Sequence, residues 1–260
     1  MAQPLVCVIG PIARITLRNP PANVLSRACL EEIERSWDEV SAAPEVRVVL
    51  LTGAGRFFCA GADIRELSDL NDPAEARAFS RRGQALLHLM ERSEKPVLAA
   101  INGTCVGGGL ELAMACHLRL SAADARVGLP EIRLGLIPGF GGTQRLPRLV
   151  GRSKALELIL TGRLLTAQQA LDIGLIDHIC SPGELLSEAE RLADTIAANP
   201  QPAAKAALLA MTQDNDVASA TAQAREAELF GRLCATKEKQ EAIEAYFHRR
   251  RQESSAGTKG

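Results

Sequence analysis

Three glycine-bearing segments of this chain hold residues that could do chemistry. In Asn102-Gly-Thr-Cys-Val-Gly-Gly-Gly-Leu-Glu-Leu-Ala-Met-Ala-Cys116 an apolar run meets three glycines and a helical pattern begins. Glycines let the backbone turn sharply and let a ligand approach its amides. A helix start leaves several N–H groups without intrahelical partners, at the positive end of the dipole. Together these features suit a developing anion, as an oxyanion hole requires. Glu111 falls in the first helical turn beside them. A glutamate there also complements the dipole without any chemical role, so this segment alone leaves both readings open. No Gly-Lys-Ser/Thr follows the glycines, which excludes a P-loop, and they do not form a G-x-G-x-x-G with an acidic residue downstream.

The second segment, Gly128-Leu-Pro-Glu-Ile-Arg-Leu-Gly-Leu-Ile-Pro-Gly-Phe-Gly-Gly-Thr143, sets Glu131 directly after a proline among apolar neighbours. A lone loop glutamate is commonly a solvated surface group. The third, Phe57-Phe-Cys-Ala-Gly-Ala-Asp-Ile-Arg65, reads as an exposed turn after a strand.

The elements that must position these residues alternate between strand and helix. Ala13 to Leu17 has the period of a half-buried strand and is broken by Asn19-Pro-Pro-Ala-Asn23. Leu30, Ile33, Trp37 and Val40 share one helical face. Val46 to Thr52 and Pro96 to Ile101 are continuous apolar runs, as in strands covered on both faces of an α/β fold. From about Ser153 the character turns helical. Thr166-Ala-Gln-Gln169 resembles a capping box, and helices are expected over 185–198, 203–212, 219–234 and 237–250. Residues 251–260 read as a frayed tail, with His248-Arg-Arg-Arg251 as a basic helix end. A boundary at Asn199-Pro200 divides an α/β part, 1–199, from a helical part, 200–260.

Composition narrows the function classes. Thirty basic residues against 31 acidic ones give a net charge of -1, and aromatics make up 3%. Neither a basic excess nor stacking platforms are present, so no nucleic-acid partner is expected. The seven cysteines lack any C-x-x-C pair and read as buried free thiols in a reducing compartment. The four histidines, His88, His117, His178 and His248, have no metal-ligand spacing, so no metal is expected. No G-x-S-x-G elbow is present. The N-terminal residues lack a signal-peptide pattern, and the most apolar window, 96–116, contains Asn102, Glu111 and glycines unsuited to a membrane span. A cytoplasmic protein without membrane contact is the expectation.

Taken together, the three segments resemble the enoyl-CoA hydratase/isomerase (crotonase) superfamily in order and spacing. The matching stretches are Phe58-Cys-Ala-Gly-Ala-Asp-Ile64, Ala100-Ile-Asn-Gly103, Gly107-Gly-Gly-Leu-Glu-Leu-Ala113, Pro130-Glu131, Gly135-Leu-Ile-Pro-Gly139 and Gly141-Gly-Thr-Gln-Arg-Leu146. The resemblance runs from about Ile12 to Arg250. It implies a spiral of ββα units followed by a C-terminal helical trimerisation region, in a homotrimer or homohexamer. It also implies catalytic carboxyls at Glu111 and Glu131, and oxyanion-hole amides at Ala62 and Gly108. Gly139 would orient water through its amide. Ala22, Ala62, Asp63, Ile64, Arg65, Gly108 and Arg249 would bind coenzyme A or substrate. No separate cofactor is implied, coenzyme A being part of the substrate. Since both glutamates are present, the resemblance favours hydration of a trans-2-enoyl-CoA to a 3-hydroxyacyl-CoA in fatty-acid or related acyl-CoA breakdown. Rival expectations are an enoyl-CoA isomerase, a hydratase for a branched chain of the methylglutaconyl type, and a non-catalytic acyl-CoA or RNA-binding scaffold. One departure concerns the helix ending at Cys234, where some hydratases stack an aromatic on adenine and a cysteine stacks nothing.

Overall fold

The computed structural model describes residues 5–181, 183–212 and 216–256. Its first half contains β1 (Leu5–Ile9), β2 (Ile12–Leu17), α1 (Arg27–Ala42), β3 (Val48–Gly53), β4 (Phe57–Cys59), α2 (Ile64–Asp69), α3 (Pro73–Glu91), β5 (Val97–Ile101), β6 (Thr104–Val106), α4 (Gly108–Met114), β7 (Leu118–Ala122) and β8 (Arg126–Gly128). A 3-10 turn, Glu131–Leu134, leads into α5 (Gly142–Val150), α6 (Arg152–Thr161), β9 (Leu165–Thr166), α7 (Ala167–Asp172), β10 (His178–Cys180), α8 (Leu185–Ala197), α9 (Gln201–Thr212), α10 (Asp216–Cys234) and α11 (Lys237–Ala256).

Two sheets wind side by side. The larger has the order β1-β2-β3-β5-β7-β10 and the smaller β4-β6-β8-β9. Each of the parallel neighbours β3, β5 and β7 is followed at once by its counterpart β4, β6 or β8 in the second sheet. This repetition is the expected spiral of ββα units. The continuous apolar runs are strands buried on both faces: β3 and β5 pack inward on the main core, while Val48, Leu50, Leu98 and Ala100 meet Ala189, Ala193 and Ala197 of α8 on the other side. Alanines four apart on α8 form a narrow stripe that lets the helix lie close to the sheet.

The periodic elements lie where their sequences put them, and Thr166 forms the capping box with Gln169. Several expectations need correction. The Phe57–Arg65 segment is exposed only at Arg65: Phe58 and Cys59 of β4 are fully buried. The helical second half is interrupted by β9 and β10, which close one edge of each sheet. The tail is not frayed from Arg251, because α11 continues to Ala256; no glycine or proline intervenes before Gly257, and residues 257–260 lie outside the described part. The basic run 248–251 therefore sits within α11 rather than at its end. Six of the cysteines are buried, and Cys7 is only half-buried.

The last two helices fold back over the α/β part. α10 packs along α3, and α11 packs on α2 and the 3-10 turn. Lys239 fastens this return. Its fully buried ammonium donates to Ser68 O (3.2 Å), Leu70 O (3.1 Å) and Asn71 Oδ1 (3.3 Å), contacts that offset the cost of burying the charge.

Candidate active site

The three chemistry-bearing segments leave the carboxyl ends of β4, β6 and β8, adjacent parallel strands of the smaller sheet. They converge on one cavity of about 500 Å³, whose wall includes Ala62, Gly108, Glu111, Glu131 and Gly139. Ile64 and Arg249 also line it, with Arg249 exposed and Tyr246 one turn before it on α11. Ala22, Asp63 and Arg65 fall outside that wall. Ala22 accepts a hydrogen bond from Ala60 N (3.0 Å) one layer behind it, Asp63 caps α2 by accepting from Arg65 N (2.9 Å), and Arg65 is exposed.

Local backbone pairing explains which amides are left over. Leu25 donates to Gly61 O (2.8 Å) and accepts from Asp63 N (3.3 Å), making an isolated parallel bridge to Ala62. In such a bridge the central residue's own N–H points away from its partner. The N–H of Ala62 is thereby free to face the cavity. Gly107, at φ 55, is the N-cap of α4, so Gly108 opens the helix with an amide that has no intrahelical acceptor. Among the described residues neither amide, nor that of Gly139, makes a backbone hydrogen bond.

The two glutamates have different surroundings. Glu111 is 2% exposed, and its Oε1 accepts from Phe140 N (2.8 Å) and Gly142 N (2.7 Å). Burial holds its pKa well above the ordinary glutamate range, and the Glu131 and Glu226 carboxyls add to the effect, while the two amides oppose it. Glu131, whose loop position alone suggests a surface group while the family resemblance makes it catalytic, begins the 3-10 turn. Its Oε2 is buried and has no partner among the described residues. Burial pushes its pKa up to about 8, with Glu226 contributing and its own backbone amide opposing. Amide donors favour the carboxylate form. Burial raises both carboxyls; at Glu111 two loop amides oppose it, whereas Glu131 has only its own backbone amide to do so.

Sequence reasoning missed Glu226, Phe230, Phe79 and Phe140. Phe79 and Phe140 pack at 5.3 Å between ring centroids, and with Phe230 they make the cavity's apolar wall. Cys234, one turn after Phe230, is buried behind it. His117 is structural: its Nδ1 accepts from Val97 N (2.9 Å) and its Nε2 lies 3.2 Å from Glu91 O. Among the described residues no group of three or more His, Cys, Asp or Glu is placed to hold a metal ion, and no helix is long and apolar enough to cross a membrane.

Comparison with known proteins decides the family. The profile of the enoyl-CoA hydratase/isomerase family matches residues 10–255. The chain belongs to that family. A probable enoyl-CoA hydratase of Bacillus subtilis (strain 168) is 43% identical over 242 residues, covering 92% of this chain and 93% of the relative. A short-chain-enoyl-CoA hydratase of Clostridium acetobutylicum is 40% identical over 244 residues, covering 93% of each. The crystal structure of an enoyl-CoA hydratase from Bacillus anthracis, 36% identical, superposes with a TM-score of 0.79 over 95% of this chain and 96% of that one. The two-sheet spiral and C-terminal helices described above are thus those of the enoyl-CoA hydratase/isomerase fold.

Proposed function

We propose that this protein is an enoyl-CoA hydratase, acting on an acyl-CoA substrate without a separate cofactor. The observation that carries the reading is the pairing of two buried carboxyls, one held by loop amides and one with an unpartnered oxygen, in one apolar cavity bordered by free amides. The relatives' names agree with it. In this mechanism the Glu111 carboxylate takes a proton from water held at the Gly139 N–H, and the water oxygen bonds to C3 of the enoyl group. Electrons pass from the double bond to the thioester oxygen, where the Ala62 and Gly108 N–H groups oppose the charge without reorganising. Glu131 then gives its proton to C2. The net change is one water added, with the proton transferred from Glu111 back toward Glu131 before the next turnover. In this reading Arg249 at the cavity mouth, with Ile64 and the Asp63–Arg65 turn, would meet coenzyme A, and Ala22 would support that rim. A homotrimer or homohexamer in the cytoplasm completes the proposal, and sedimentation of the purified protein tests the assembly.

The test is incubation with crotonyl-CoA and identification of the product. Formation of 3-hydroxybutyryl-CoA supports the proposal; migration of the double bond without water uptake points to an isomerase, and binding without turnover to a scaffold.

Two neighbouring glycines separate an oxyanion-hole role from a mere turn. A Cβ at Gly109 would lie 2.3 Å from the backbone oxygen of Cys59, whereas one at Gly108 would meet only side-chain ends, Leu25 Cδ1 and the Phe140 ring, at 3.3 Å. Gly109→Ala is therefore expected to lower the melting temperature sharply, overpacking at a rigid contact costing about 1–3 kcal/mol or more. Gly108→Ala is expected to melt near the parent, yet to lose about tenfold or more in kcat as its amide shifts against the thioester oxygen. Equal melting losses in both variants, with kcat retained in Gly108→Ala, would contradict the assignment.

A further inference from the structure

We propose that Glu226, on the C-terminal helix α10, is a positioning residue that sets the Glu111 carboxylate and the water-facing Gly139 amide. The inference rests on the hydratase reading and extends it to a third buried carboxylate outside the substrate cavity's wall.

Glu226 is 2% exposed and lies behind the 139–143 loop. Its Oε1 accepts from Gly141 N (2.6 Å) and Gln84 Nε2 (3.1 Å), and its Oε2 from Thr143 N (2.9 Å) and the Thr143 hydroxyl. Every one of these partners is a donor, and they favour the ionised acceptor against the burial that pushes this carboxyl's pKa up. The four consecutive amides of this loop alternate between two carboxylates. Phe140 and Gly142 donate to Glu111, and Gly141 and Thr143 donate to Glu226. Gly141 adopts φ 100 at the middle of this alternation, and an added Cβ there would lie 2.3 Å from Arg145 Nη1.

The carbonyls of the loop are fixed as well. Ser80 Oγ and Gln84 Nε2 (3.2 Å) donate to Gly139 O, and Arg145 Nη1 donates to Phe140 O (2.7 Å). With these groups engaged, the Gly139 amide remains as the loop's free donor toward the cavity. The donors held by Glu226 thus dictate the direction of the two amides that orient Glu111. Gln84 belongs to α3 and Glu226 to α10, so the packing of α10 along α3 is what completes this arrangement. A carboxylate buried at such cost, with no substrate-facing surface, is accounted for by the loop it orders.

The experiment compares Glu226→Gln, Thr143→Val, Glu111→Gln and the Glu226→Gln/Glu111→Gln double variant with the parent on crotonyl-CoA, alongside butyryl-CoA affinity and thermal melts. A glutamine keeps one accepting oxygen but turns the other position into an NH2 donor facing the donors that now serve Glu226, so Glu226→Gln is expected to lose between about tenfold and 10²-fold in kcat, the scale of a misplaced catalytic group, with KM and butyryl-CoA affinity unchanged. In the Glu111→Gln background the same change should add little, because its effect passes chiefly through Glu111. Thr143→Val, which deletes one donor and keeps the carboxylate, should show a smaller loss of kcat at constant KM, and it carries the test if Glu226→Gln does not fold. An unchanged kcat, a KM that rises in step, or a loss that multiplies in full on the Glu111→Gln background overturns the inference. An inactive parent overturns the hydratase reading and this inference with it; an active parent whose variants behave in any of those ways overturns this inference alone.

Discussion

Glu111→Gln is expected to lower kcat for hydration by about 10²- to 10⁴-fold, the range for removal of a general acid–base group. Binding of a saturated acyl-CoA should be retained, because the glutamine occupies the same volume and its carbonyl oxygen can still accept from Phe140 N and Gly142 N. What it cannot do is take a proton from water. Steady-state kinetics together with butyryl-CoA titration check this. Near-parental hydratase activity would return Glu111 to the simpler role of a residue matched to the α4 dipole.

The second large effect is at Glu131, and it reports on stability as well as rate. Glu131→Gln should suppress hydration on the same scale, about 10²-fold or more, since no proton is left to give to C2. In the parent, the kcat/KM profile should fall as pH rises through about 8, where the buried carboxyl loses its proton. The stability linkage has a definite sign. A carboxyl whose folded pKa lies above its unfolded value of about 4.3 stabilises the fold fully only below that value. Its contribution is then lost as pH rises through about 8. Glutamine has no such proton. The variant should therefore melt with the parent near about pH 4 and progressively above it toward neutral and mildly alkaline pH. Melting curves across that window check the claim, and parallel curves at every pH would mean that Glu131 is not held protonated.

The same residues show what a sequence can and cannot disclose here. Strands β2, β3 and β5 and helix α1 were legible because their apolar residues keep one period over five or more positions. Strands β4, β6, β8 and β9 span two or three residues, too short for any period, so the second sheet of the spiral was not legible from pattern alone. The glycine segments were legible as chemistry only in combination, because each glycine turn has an ordinary explanation by itself. Glu131 looked solvated because a lone loop glutamate usually is; its burial comes from the loop across β6, where Gly107 packs on its carboxyl. Glu226 was hidden differently. It sits in Arg225-Glu226-Ala-Glu228, which reads like any charged helix surface. Glu228 does pair at the surface with Arg77, whereas Glu226, two positions earlier, points inward at the loop amides.

The most direct test of the central claim is hydration of crotonyl-CoA in deuterated water, with the product examined by NMR and mass spectrometry. If Glu111 and Glu131 cooperate as acid and base on one substrate, the product is 3-hydroxybutyryl-CoA carrying a hydroxyl at C3 and a single solvent-derived deuterium at C2, in one stereochemical form. Either glutamine variant should form it at a rate lower by about 10²-fold or more. Deuterium entering recovered crotonyl-CoA or a shifted double bond, with no C3 hydroxyl formed, would contradict water addition by this pair of carboxyls.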